Sequence, residues 1–178
     1  MSSTLPPVPA SPQSPAETIV EAIRRNLPHV PFSEGQTSTD TDLAVAPEHL
    51  LALVTGLKTR KELAFDFLRN VAGVDMEAEG LVCKYQLYSF KHGHALQVTV
   101  ACPPDNPRLP SLTGLYAAAD WHEREAAEMF GLIFEGHPNP KNLLLEEDLR
   151  IHPLLKAHPL QKVEILQGIE EGPPGFKF

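Results

Sequence analysis

The sequence predicts an α+β protein, with a mainly antiparallel sheet, N-terminal helices packed on one of its faces, a helix over 120–130 and an extended C-terminal arm. Apolar residues alternate over 81–100, as in a half-buried hairpin, whereas before residue 72 they recur at helical spacing. Prolines mark the boundaries. The chain has 178 residues and 18 prolines, about twice the usual share, and none falls in 48–102 or 111–137. Proline loses a backbone hydrogen bond inside a regular element, so those two windows are where regular structure forms. This divides the chain into a flexible Pro/Ser-rich leader at 1–14, one α+β domain at 15–138 and an arm at 139–178.

The elements follow in order. Ser14 suits an N-cap, Pro15 the first helical position and Glu17 the third place of an S-x-x-E box, with Ile19, Val20, Ile23 and Leu27 on one face. Pro28 ends that helix. Leu43-Ala44-Val45 reads as an edge strand before Pro47 opens a second helix, which buries Leu50, Leu51, Leu53, Val54 and Leu57. A T-x-x-E box at Thr59 and Glu62 predicts a third helix carrying Leu63, Phe67, Leu68 and Val71. Next comes the hairpin: Leu81, Cys83, Tyr85 and Leu87 share one face, Leu96, Val98 and Val100 alternate after them, and Gly93 lies in the turn. Pro103 to Pro110 closes the second strand. Asp120 then caps a helix with Glu123 three residues on, Gly131 stops it, and Leu132-Ile133-Phe134 adds a final strand ended by Gly136 and Pro138.

The arm poses a physical problem. It carries Leu143, Leu144, Leu145, Leu149, Ile151, Leu154 and Leu155 with further apolar residues to Phe178, yet Pro153, Pro159, Pro173 and Pro174 prevent one long helix. Covering each leucine is worth ~1.5–3 kcal/mol, against ~1–2 kcal/mol per residue for ordering the backbone. An arm of this kind orders against a large matching surface, which points to a partner.

Composition excludes several function classes. With 15 basic and 23 acidic side chains the net charge is −8, and no basic stripe offers a footprint for nucleic acid or anionic lipid. No apolar run reaches the ~18 residues of a membrane span, and the N-terminus lacks a signal-peptide pattern. Cys83 and Cys102 have neither CxxC spacing nor nearby histidines, which predicts reduced, partly buried thiols rather than a disulfide, zinc or iron–sulfur site. Nucleotide-binding glycine loops and serine-nucleophile elbows are absent from the sequence.

The densest polar run is Asp120-Trp-His-Glu-Arg-Glu-Ala-Ala-Glu128. A zinc hydrolase would need a second histidine four residues after His122, where alanine stands, so a metal hydrolase using His122 and Glu123 is the weaker alternative. Glu125 and Glu128, three apart, share a side of the helix, whereas Glu123 and Glu125 diverge. Arg124 is expected to bridge Glu128 or Asp120.

The run Ala119-Asp-Trp-His-Glu-Arg-Glu-Ala-Ala-Glu-Met-Phe-Gly-Leu-Ile-Phe-Glu-Gly-His-Pro138 closely resembles the signature of the hydrophilic C-type subunit of NADH:quinone oxidoreductase, respiratory complex I. The resemblance extends upstream through Val71-Ala-Gly-Val-Asp75 and Ser111, and downstream through His152-Pro-Leu-Leu-Lys156. It implies a structural subunit of the peripheral arm that holds no cofactor of its own, with iron–sulfur clusters, FMN and quinone in partner subunits. The implied partners are the subunit resembling a hydrogenase large chain and the one holding the terminal cluster. Its implied place is the cytoplasmic side of the cell membrane, or the matrix side in an organelle, with membrane association only through the complex.

Trp121, Glu123, Arg124, Glu125, Phe130, Gly131, Gly136, His137 and Pro138 match the signature. Glu128 stands where aspartate is usual, and Asn139-Pro140-Lys141-Asn142 where D-L-R-R is common. These residues are expected to contact partners, with Glu123, Glu125 and Glu128 paired to basic groups, some internal and some on a neighbour. The equivalent subunit of an energy-converting membrane-bound hydrogenase or of a coenzyme-F420-type dehydrogenase is the nearest alternative.

Overall fold

A computed structural model describes residues 18–35, 41–147 and 149–158. The leader, its expected cap at Ser14 with Pro15 and Glu17, and the arm beyond residue 158 lie outside the described residues. Within them, helix α1 (Ile19–Asn26) is capped by Thr18. The Thr18 hydroxyl accepts the N–H of Glu21 at 3.3 Å, and the Glu21 carboxylate accepts the N–H of Thr18 at 3.0 Å. This is a second box, four residues after the one expected at Ser14.

The main sheet has the order β1-β2-β5-β4-β3, built from β1 (Ser33–Gly35), β2 (Thr41–Ala44), β3 (Phe67–Asp75), β4 (Leu81–Ser89) and β5 (His94–Cys102). All pairs are antiparallel except β2 with β5. The α+β prediction holds. Leu43 lies in an interior strand rather than at an edge, because β1 covers the outer side of β2.

Alternation in β4 and β5 does what the sequence predicts. Leu81, Cys83, Tyr85, Leu87, Leu96, Val98 and Val100 turn inward and are all buried. Helix α2 (Pro47–Thr59) packs Leu50, Leu53, Val54 and Leu57 into this core, but Leu51 is exposed on its outer side.

The expected third helix is instead strand β3. Thr59 caps nothing; its hydroxyl donates to the carbonyl of Thr55 inside the last turn of α2. In β3 the register passes from Leu68↔Leu87 to Val71↔Tyr85 with a bulge at Arg69. That extra residue brings Leu68 and Val71 to the same buried face, and a spacing of three is what made the segment read as helix.

Helix α3 (Ala119–Phe130) begins at Ala118 without a side-chain cap, so Asp120 sits one residue inside it. Its C-cap Gly131 has φ +79°, the left-handed stop expected from the sequence. The final strand β7 (Ile133–Glu135) does not join the main sheet but pairs parallel with β6 (Arg108–Pro110). The chain then returns over α3.

Candidate functional site: the α3 hub

Ala119, Glu123 and Ala126 recur at i, i+4 and i+7 and face the core, and all three are buried. Glu123 is therefore a carboxyl inside the fold, 0% exposed. Its oxygens accept the Ser111 hydroxyl at 2.6 Å and the Leu112 N–H at 2.6 Å. Burial pushes its pKa up to about 7, with a smaller push from the Asp120 charge, and the Ser111 and Leu112 donors oppose the rise.

One turn further, Glu128 is also buried and accepts backbone N–H groups from the returning chain: Leu143 at 2.7 Å, Leu144 at 3.0 Å and Leu145 at 3.4 Å. Neither carboxylate meets a basic group among the described residues, contrary to expectation. Hydroxyl and amide donors satisfy them instead, which removes the need for a buried cation.

Arg124 bridges neither Glu128 nor Asp120. Its guanidinium donates to the carbonyls of Lys141 and Asn142, both at 2.8 Å, and lies 5.6 Å from the centre of the Trp121 ring. Lys141 in turn reaches Glu147 at 3.4 Å. His137 Nδ1 accepts the N–H of Asn139 at 3.0 Å, which leaves Nε2 as the protonated nitrogen. That Nε2–H donates to the Asp120 carbonyl at 3.1 Å and lies 3.4 Å from its Oδ1. Gly136 (φ +83°) makes the turn that delivers His137.

The last carbonyls of α3 are orphans in an isolated helix. Here the Gly131 N–H donates to Ala127 at 2.8 Å, the His152 Nδ1–H to Glu128 at 2.9 Å and the Leu154 N–H to Met129 at 3.1 Å. A Cβ on Gly131 would lie 2.9 Å from the His152 ring, and one on Gly73 would lie 2.4 Å from the Phe130 ring, so α3 packs closely on both β3 and the returning chain. Lys156 completes the closure: its N–H donates to Asp75 at 2.8 Å and its ammonium to Glu77 at 2.9 Å. Bonds from the backbone N–H groups of Lys156 and Glu77 hold the Asp75 carboxyl below its ordinary pKa.

The segments 71–75, 119–138 and 152–156, far apart in sequence, thus meet around one helix. The first twenty residues of the arm, except the undescribed 148, have a home on their own domain. Leu143, Leu145 and Leu149 are half-buried there, but other apolar side chains of this stretch face outward. Leu144 is 66%, Ile151 52% and Leu154 54% exposed, while Leu155 packs on the core.

Of the signature residues, Glu123, Arg124, Glu128, Gly131 and His137 are engaged internally. Trp121, Glu125, Gly136 and Pro138 are exposed, and Phe130 is half-buried against Gly73. Sequence reasoning missed Leu112, Thr113 and the backbone of 143–145 as members of the site. The signal for Glu123 was there in the stripe it shares with Ala119 and Ala126. Between α3, β7 and the arm lies a cavity of about 360 Å³ lined by Arg124, Glu128, His137, Asn142, Arg150 and His152, among others. No three His, Cys, Asp or Glu side chains come together as metal ligands could among the described residues, and no described helix is long and apolar enough to cross a membrane.

A mixed sheet backed by helices, with a last helix that organises a returning chain segment, defines an α+β protein built around buried carboxylates on that helix. The chain belongs to the family of the respiratory-chain NADH dehydrogenase 30 kDa subunit, whose sequence profile matches residues 43–164. It is 37% identical over 139 residues to the C-type subunit of NADH-quinone oxidoreductase from Roseiflexus sp. strain RS-1, a match that covers 77% of this chain and 80% of the relative. The corresponding subunit from Roseiflexus castenholzii is 34% identical over the same length and coverage.

Among solved structures, the trypsin-resistant fragment (1–134) of Nqo5 superposes with a TM-score of 0.59 at 26% identity, covering 69% of this chain and 97% of the fragment. A chain of the archaeal membrane-bound sulfane sulfur reductase shares the fold, with a TM-score of 0.70 at 20% identity over 93% of this chain and 96% of that one.

Proposed function

We infer that this family member is a structural subunit of the peripheral arm of a proton-translocating NADH:quinone oxidoreductase. It supports the quinone-reducing module while partner subunits carry the FMN, iron–sulfur clusters and quinone. The observation that carries this reading is an arm whose backbone is fixed by α3 while Leu144, Ile151 and Leu154 face outward. Three such leucine-class side chains offer ~1.5–3 kcal/mol each to a neighbour that covers them, and the ordering cost of this backbone is already met within the subunit.

The neighbour is the hydrogenase-large-chain-like subunit, with the terminal-cluster subunit nearby. Trp121 and Glu125, the exposed signature residues, extend the same contact. Association with the membrane, on its cytoplasmic or matrix side, comes through the complex.

The experiment is to tag the chain, purify the complex it assembles into, identify its subunits and assay electron transfer from NADH to a quinone. An NADH-binding flavoprotein and NADH:quinone activity are expected. The likeness in fold to a chain of an archaeal respiratory membrane complex supports a second reading, the equivalent subunit of an energy-converting hydrogenase-type machine. A purified complex with a hydrogenase partner and no NADH-binding subunit would select that reading.

A further inference from the structure

We propose that Glu123, Ser111 and Thr113 form a proton-binding site inside this subunit, in which the carboxyl holds one exchangeable proton and the two hydroxyls relay it to the surface. The geometry is that of a short wire. Glu123 Oε2 lies 2.6 Å from Ser111 Oγ, and Ser111 Oγ lies 2.8 Å from Thr113 Oγ1, where either hydroxyl can donate. Glu123 is fully buried, whereas Ser111 and Thr113 are partly exposed. A separation of 2.6 Å is the length of a charge-assisted bond between a hydroxyl and a carboxylate.

Both protonation states satisfy every group in the wire. With the carboxylate ionised, Thr113 donates to Ser111 and Ser111 donates to Glu123. With the carboxyl protonated, Glu123 donates to Ser111 and Ser111 donates to Thr113, while the Leu112 N–H stays on the other oxygen, Oε1. Uptake needs no other reactant than water. A solvent proton binds Thr113 Oγ1, the proton already there passes to Ser111 Oγ, and that of Ser111 passes to Glu123 Oε2. The passage leaves the hydroxyls in the arrangement the acid form requires.

The other groups facing Glu123 leave it free to titrate. From β4, the Cys83 thiol and Tyr85 hydroxyl are driven upward chiefly by burial and also by the Glu123 charge, so both stay neutral. From its own helix Asp120 adds negative charge, which favours the proton on Glu123. Arg124, the nearest cation in sequence, is turned to the carbonyls of Lys141 and Asn142.

The test is infrared titration of the full-length chain between pH ~6 and ~9, a range in which exposed carboxylates are ionised, following the carbonyl band of a protonated carboxylic acid. The expected result is one such band that disappears with a midpoint of about 7 and is missing in Glu123→Gln. Ser111→Ala, which removes a donor from the carboxylate, moves the midpoint up by about one pH unit. Thr113→Val, which removes the acceptor needed only by the acid form, moves it down. The downward shift in Thr113→Val is the deciding result, because any static donor on the carboxylate would give the Ser111→Ala shift, whereas Thr113 touches Glu123 only through Ser111. No acid band in this range, or a Thr113→Val midpoint that is unmoved or raised, overturns the proposal. The unsubstituted chain alone decides the first point, so the test stands even if a variant fails to fold.

Discussion

The Glu128 carboxylate holds the backbone N–H of Leu143 at 2.7 Å, fifteen residues further along the chain. With Leu144 and Leu145 on the same carboxylate, this turns a helix side chain into an anchor for a strap. Hydrogen bonds to a charged group contribute ~1.5–3 kcal/mol. Glu128→Gln keeps one acceptor oxygen but turns an amide N–H₂ towards the other donors. Hydrogen exchange at residues 143–145 is therefore expected to accelerate by about tenfold or more, the equivalent of ~1.4 kcal/mol, while exchange in the β4–β5 hairpin stays unchanged.

Gly131 carries two demands at once, φ +79° and contact with the His152 ring. Gly131→Ala meets neither. The left-handed backbone alone costs about 1–2 kcal/mol, and the new methyl displaces His152 from the Glu128 carbonyl. Cleavage by trypsin after Arg150 and Lys156 is expected to speed up roughly tenfold, with the rest of the domain still resistant.

Stability should carry the mark of Glu123. Its pKa rises from 4.5 in the unfolded chain to about 7 in the fold, so between those values the folded state binds more protons. Unfolding free energy then falls as pH rises from about 4.5 to about 7 and is level above that, a loss of about 3 kcal/mol. Denaturant titrations across this range should show the slope in the unsubstituted chain and its disappearance in Glu123→Gln.

The hairpin was legible in the sequence because β4 and β5 alternate without interruption against a core on one face. Gly131 likewise announced the end of α3. β3 was not legible, since the bulge at Arg69 turns a two-residue period into a three-residue step between Leu68 and Val71. The roles of Glu123 and Glu128 were hidden for a different reason. Their partners are a hydroxyl and backbone N–H groups, and a backbone donor leaves no trace in the identity of the residue that supplies it. The family resemblance drew attention to α3 and the turn after it, and the fold shows that five of the signature residues make contacts inside the subunit.

The exposed apolar residues of the strap separate folding from assembly. Replacing Leu144, Ile151 and Leu154 together by serine removes side chains that are each more than half exposed, so the isolated chain should melt within a few degrees of the unsubstituted one. Incorporation into the complex, followed by native electrophoresis and NADH:quinone activity, should drop at least tenfold, since each residue loses ~1.5–3 kcal/mol of burial at the contact.

Site-specific photo-crosslinking from Leu144 and Leu154 within the purified complex tests the central claim most directly. A crosslink from both positions to the hydrogenase-large-chain-like subunit is the predicted result. Crosslinks confined to this chain itself, at both positions in an intact and active complex, would contradict it.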